Sequence, residues 1–189
     1  MIIHCATSNK GKLREFQLAG RDFDVQALDS AIPPPDETGA TFEENAALKA
    51  VYYGGFAAGY LFADDCGLEV DALDGAPGVH SSRFAGEHAT DASNNALLLE
   101  KLQGVANRTA RFVCVIALVK NGKLARTFRG SVEGRILEEA RGTGGFGYDP
   151  LFFHEPFGCT FGEAAIGDKM LVSHRAQALA AMFAYLRGL

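Results

Sequence analysis

The segment from Arg111 to Leu137 restricts the architecture of this 189-residue chain more than any other. Arg111 to Lys120 is rich in β-branched residues, with an unbroken apolar run from Phe112 to Val119. Asn121-Gly122 separates it from a second extended stretch, Leu124 to Leu137. Asn and Gly accept the left-handed conformations of a two-residue turn, so the segment is predicted to be a β-hairpin. Helical patterns interleave with strands elsewhere, but the hairpin is antiparallel, so a purely parallel sheet is excluded. The chain is expected to be an α/β protein built on a mixed sheet.

The remaining elements follow from local pattern. Ile2 to Ala6 reads as a buried strand, Lys12 to Leu18 as a helix ending at Gly20, and Phe23 to Leu28 as a second strand. Pro33-Pro34-Pro35 breaks regular structure. Thr41-Phe42-Glu43-Glu44 is a capping box, opening an alanine-rich helix to about Ala58 that is expected to be buried on most sides. Tyr60 to Ala63 reads as a strand, with Leu68 to Leu73 as further extended chain. Gly75 to Gly78 reads as a turn, Ala92 to Leu102 as a helix capped by Asp91, and Leu151 to Phe153 as a short strand. Ser173 caps a final helix to Leu186.

An apolar content of 48% over 189 residues is enough to bury a core, and the chain reads as one domain, 1–189. A net charge of −5 argues against nucleic acid as a partner. The four cysteines form no Cys-x-x-Cys pair, so neither a zinc site nor a disulfide framework is indicated. The N-terminus carries no signal-peptide pattern, and the longest apolar run is too short to span a bilayer. A cytoplasmic protein with no membrane partner is expected.

Six groups of residues carry candidate chemistry. Gly142-Thr143-Gly144-Gly145-Phe146-Gly147-Tyr148-Asp149-Pro150 concentrates glycine where it cannot be filling a core, and holds two aromatic rings and a carboxylate on that backbone. It suits close approach to a small polar ligand with a flat part. Thr7-Ser8-Asn9-Lys10-Gly11-Lys12 lies where a strand gives way to a helix, aiming amides and a positive dipole end at an anion. It equally fits an exposed turn, and it is not a Walker A loop.

Asp64-Asp65 follows an apolar strand and is expected at its carboxyl end, where a carboxylate can bind Mg²⁺ or accept a proton from water. A turn-capping aspartate is the alternative. Asp36-Glu37 and Glu44 offer further oxygens near a helix start, Glu44 being already explained by its capping role. Lys49, on an alanine-rich helix face, points to an anion nearby. Lys169 and Ser173-His174-Arg175 suit anion or carbonyl recognition, although locally they read as a capped helix start with surface charges.

Together these pieces resemble the inosine triphosphate pyrophosphatases, the Ham1 or RdgB family. The matching segments are Thr7 to Lys12, Thr41 to Ala46, Ala63 to Leu68, Gly75 to Gly78, Gly142 to Pro150 and Ser173 to Arg175, which run in the family's order over nearly the whole chain. The resemblance implies an elongated mixed β-sheet flanked by helices, two lobes around a central nucleotide cleft, and a homodimer. It implies Mg²⁺-dependent cleavage of ITP, dITP or XTP between the α and β phosphates, clearing non-canonical purines from the nucleotide pool. By the same resemblance, Thr7, Ser8, Asn9, Lys10, Gly11 and Lys12 hold the triphosphate, with Lys49 near the phosphates. Asp65 is the catalytic carboxylate and a metal ligand, with Glu37 as a second ligand. Phe146, Gly147, Tyr148, Asp149, Lys169, His174 and Arg175 surround base and sugar. Cys66, also substrate-side, stands where the family usually has serine.

Two rivals are an enzyme of the related Maf type with other specificity, and a non-catalytic nucleotide sensor. The Gly142 to Pro150 and Ser173 to Arg175 segments favour the Ham1 type over the first, and an intact Asp65 argues against the second.

Overall fold

The structure, a computed structural model, describes residues 1–28 and 31–189. Its strands are β1 (Ile2–Cys5), β2 (Asp24–Ala27), β3 (Tyr60–Val70), β4 (Thr109–Lys120), β5 (Lys123–Ile136), β6 (Phe152–His154) and β7 (Cys159–Thr160). Its helices are α1 (Lys10–Ala19), α2 (Phe42–Gly54), α3 (Asp91–Lys101), α4 (Ile166–Val172) and α5 (His174–Arg187). The strands form one sheet in the order β2-β1-β3-β4-β5-β6-β7. β1 pairs in parallel with β2 and β3, while β5, β6 and β7 pair antiparallel, so the sheet is mixed as expected.

The hairpin forms where the sequence places it. Asn121 and Gly122 both have positive φ, at 50° and 73°, as a type I′ turn requires. The Asn121 side chain and backbone also bind the backbone of Gly59. Phe112 to Val119 is buried at every position, whereas β5 alternates buried and exposed residues from Phe128 to Ile136.

Three expectations are corrected. β3 does not end at Asp64-Asp65 but continues for 11 residues to Val70. α2 stops at Gly54, and Val51 on it is 46% exposed, so it is buried on one side only. α3 is capped by Thr90, whose hydroxyl accepts from the Ser93 amide, and Asp91 is the first helical residue. The short α4 carries no side-chain N-cap and left no signal in the sequence.

The chain packs as two compact units. The first comprises residues 1–65, 114–130 and 174–189. Its core includes Ile3, Cys5, Leu61 and an edge-on pair of Phe16 and Phe62 with centroids 5.0 Å apart. The second comprises residues 66–113 and 131–173 and packs Leu68, Leu98, Leu102, Ile136, Leu151 and Tyr148 around Phe112, Phe152 and Phe161. Among the described residues no helix is long and apolar enough to cross a membrane.

Candidate active site

Asp64 and Asp65 are adjacent in a continuous strand, so their side chains leave opposite faces of the sheet. That alternation creates two separate carboxylate sites within the first unit.

On one face, Asp65 accepts a hydrogen bond from Lys49 of α2 at 2.7 Å. Lys49 Nζ also lies 2.8 Å from Glu37 Oε1. The Glu37 loop is fastened to the start of α2: Gly39 donates to Asn45 Oδ1 at 2.8 Å and Ala40 to Glu44 Oε2 at 2.7 Å. Glu44 also completes the capping box with Thr41, as read from the sequence. Of the Asp36-Glu37 pair, Glu37 is half-buried at Lys49 and Asp36 is exposed.

Two carboxylates share one ammonium here, and the ionisation reflects it. Burial pushes the Asp65 carboxyl above the ordinary aspartate range, and Lys49 pulls it back only in part, with Glu37 and Asp64 adding to the rise. Burial alone would depress Lys49, but Asp65, Asp64 and Glu37 outweigh it and hold the ammonium above the usual lysine value. Asp65 Oδ2 is buried and has no hydrogen-bond partner among the described residues. A buried carboxylate oxygen without a donor fits a hard divalent cation, which prefers oxygen ligands.

On the other face, Asp64 is fully engaged. Lys12 of α1 lies 3.0 Å from Asp64 Oδ2, and Arg175 Nε of α5 lies 3.4 Å from the same oxygen. Arg175 Nη1 donates to Glu15 Oε2 of α1 at 2.6 Å. Two acids and two cations thus balance here, with Glu15, Asp64 and Arg175 buried and Lys12 half-buried at the edge. The surface helix start read locally at Ser173 to Arg175 is therefore corrected: Ser173, His174 and Arg175 are all buried. Glu15 was missed, because an acid in mid-helix carries no local sign that its partner is 160 residues away.

The Thr7 to Lys12 turn is shaped by its own side chains. Asn9 is the N-cap of α1, accepting from the Lys12 amide at 3.0 Å, and Thr7 Oγ1 accepts from the Asn9 amide at 3.2 Å. Ser8 and Lys10 are exposed, and Gly11 is half-buried.

The glycine loop belongs to the second unit. Asp149 Oδ2 accepts from the Phe146 amide at 2.9 Å and from Lys169 Nζ of α4 at 2.7 Å, with both charged side chains almost wholly buried. Lys169 Nζ also lies 5.2 Å from the Phe146 ring centroid, within cation–π range. Gly145 is required sterically as well as conformationally: at φ 72°, a Cβ there would come within 2.0 Å of Asp149 Oδ2. Tyr148, read from the sequence as a second ligand-facing ring, instead lies in the core and donates to the Ser81 carbonyl at 2.8 Å. Burial, reinforced by Asp91, holds its phenol above the usual tyrosine range. Phe146 is the half-buried ring of the loop, and Cys66 is also half-buried.

The sequence-predicted residues thus divide between the two faces of the first unit and the glycine loop of the second. Asp65, Glu37, Lys49, Lys12, His174 and Arg175 lie in the first, and Phe146, Asp149 and Lys169 in the second.

The sequence profile of the Ham1 family matches residues 3–185. A dITP/XTP pyrophosphatase from an Exiguobacterium species is 51% identical over 183 residues, covering 95% of this chain and 93% of the relative. The Ham1 protein of Coxiella burnetii superposes with a TM-score of 0.90 at 38% identity, covering 100% of both chains. That of Staphylococcus aureus gives 0.88 at 38% identity, covering 100% of this chain and 99% of its own.

Proposed function

This chain belongs to the Ham1 family, and we propose that it hydrolyses non-canonical purine nucleoside triphosphates, dITP, ITP and XTP, to the monophosphate and pyrophosphate. The observation that carries the chemistry is Asp65, a buried carboxylate fixed by Lys49 through one oxygen while the other has no donor among the described residues. Water attacks at the α phosphate, the bond to pyrophosphate breaks, and the proton leaves toward Asp65. Burial raises the basicity of that carboxylate, which suits a proton acceptor working nearer neutrality. Lys49 holds it in one orientation and limits the local negative charge.

The resident metal is proposed to be Mg²⁺. Asp65 and Glu37 would hold it as hard oxygen donors, and when bound it supplies charge neutralisation on the polyphosphate and a better leaving group. The amino-terminal end of α1, with Ser8, Lys10 and Gly11, receives the triphosphate, while Thr7 and Asn9 keep that turn in shape. Lys12 contributes through its pairing with Asp64. Phe146 offers its face to the base, and Asp149 and Lys169 hold that face in place.

Selectivity for a 6-oxo purine needs a donor at that edge, which an amino group would leave unpaired at a cost of about 1–3 kcal/mol. We assign it to His174 or Arg175. In the same reading the chain works as one Ham1-like domain, 1–189, in the cytoplasm and as a homodimer. The net charge of −5 supports excluding nucleic acid as a partner.

The test is kcat/KM with Mg²⁺ for ITP, dITP, XTP, ATP, GTP and dTTP. A preference of roughly 10- to 100-fold for the first three over ATP is expected from one unpaired donor. Preference for other nucleotides would favour the Maf type, and nucleotide binding without turnover would favour a sensor. His174→Ala lowering ITP and ATP turnover by one common factor would remove His174 from discrimination.

A further inference from the structure

The glycine loop is gripped from outside by a helix that none of the roles above uses. The Gly147 amide donates to Asp91 Oδ2 at 2.7 Å, and Asn95 Nδ2 donates to the Gly147 carbonyl at 3.1 Å. Asp91 and Asn95 are one turn apart on α3 and so share a face. Both polar groups of one glycine are therefore held by two side chains of a single helix. We infer that Asp91 and Asn95 are positioning residues for nucleotide recognition, fixing the Gly147 backbone so that Phe146 and the Asp149–Lys169 pair keep their base-binding arrangement. This rests on the proposed role of the loop in receiving the purine.

Three observations support it. Gly147 has φ 62°, yet a Cβ there would meet nothing within 4 Å among the described residues, so only its backbone conformation calls for glycine. A left-handed residue with no side chain can reorient its peptide groups unless something holds them, and α3 provides that hold. Secondly, α3 is itself anchored: Thr90 and Ser93 form its capping box, and Asn94 binds the backbone of Ala85 and Ser82. It is a rigid base for the grip, as a precise site needs. Thirdly, Asn95 Oδ1 is buried with no hydrogen-bond partner among the described residues. An apolar side chain would avoid that desolvation penalty, so the amide is kept for its donor to Gly147.

The competing role for Asp91 is purely helical, because an acid in the first turn favours the α3 dipole. Asp91→Asn separates the two, since it keeps an acceptor for the Gly147 amide and loses the charge. The experiment compares wild type, Asp91→Ala, Asp91→Asn and Asn95→Ala by steady-state ITP hydrolysis, by calorimetric binding of IMP, and by Tm. IMP carries the base without the β and γ phosphates, so its affinity reads the loop directly. Both alanine variants should raise KM and weaken IMP binding about tenfold, with kcat changed less than about twofold. Tm should fall by only about 2–4 °C. Asp91→Asn should recover most of the affinity.

Unchanged KM and IMP affinity in the alanine variants, with wild type active on ITP, would overturn this inference and leave the proposed activity standing. So would Asp91→Asn behaving as badly as Asp91→Ala. If wild type binds IMP but hydrolyses none of the triphosphates, and the alanine variants weaken that binding, the positioning role stands and the catalytic reading falls. Failure of wild type to bind IMP at all would overturn the positioning role.

Discussion

Lys49 Nζ lies 2.7 Å from Asp65 Oδ1, joining α2 to the middle of β3 by a short charged contact. The contact explains two features that are otherwise awkward. A lysine on an alanine-rich helix is tolerated because its ammonium has carboxylate partners, and an aspartate in a buried strand is tolerated because one oxygen is paired. Glu37, 2.8 Å from the same ammonium, leaves the trio with excess negative charge, a setting into which a divalent cation and a polyphosphate fit together.

Replacing Asp65 by Asn should lower ITP turnover by about 10²–10⁴-fold, the range for loss of a general base. The fold should survive, since the amide matches the carboxylate in shape and removes a charge that burial disfavours. The same raised pKa sets the sign of the pH dependence. In the metal-free protein, as pH falls, Asp65 should take up its proton earlier than an ordinary aspartate, as NMR titration of its carboxyl would read, and added Mg²⁺ should oppose that rise. An Asp65 carboxyl titrating in the ordinary range in the metal-free protein would contradict its burial, and an active Asp65→Asn enzyme would move the base to another group.

Arg175→Met should destabilise the protein by about 3–5 kcal/mol, the cost of stranding buried charges, because Glu15 and Asp64 both lose a cation. Glu15→Gln, which keeps an acceptor for the guanidinium, should cost less. Urea denaturation followed by circular dichroism measures both. A loss below about 1 kcal/mol for Arg175→Met, the level of an exposed pair, would show that the network contributes little.

Gly145→Ala should push the Asp149 carboxylate away from the Phe146 amide and Lys169, since the added methyl falls 2.0 Å from Asp149 Oδ2. KM for ITP should rise roughly tenfold or more, equivalent to losing one charge-assisted hydrogen bond. Stability should fall by more than the 0.4–1 kcal/mol or so that alanine gains at a compatible glycine. Wild-type KM in this variant would mean that the Asp149 clasp does not set the loop.

What could be read from the sequence was written in short-range chemistry. Asn121-Gly122 announced its hairpin, Thr41 and Glu44 their capping box, and Lys49 the presence of an anion. What could not be read depends on partners far along the chain. Two adjacent aspartates locally look like a strand end, and only the arrival of Lys12 and Arg175 on one face and Lys49 on the other lets β3 run through them. Arg175 looked like a surface charge for the same reason. Asp91 has the composition of a cap, but Thr90 serves that purpose and its carboxylate goes to Gly147.

The most direct test of the central claim is to identify the products of ITP and Mg²⁺ by mass. The account predicts IMP and pyrophosphate in equal amounts, with no IDP at any time. IDP with inorganic phosphate, or unchanged ITP, would contradict it.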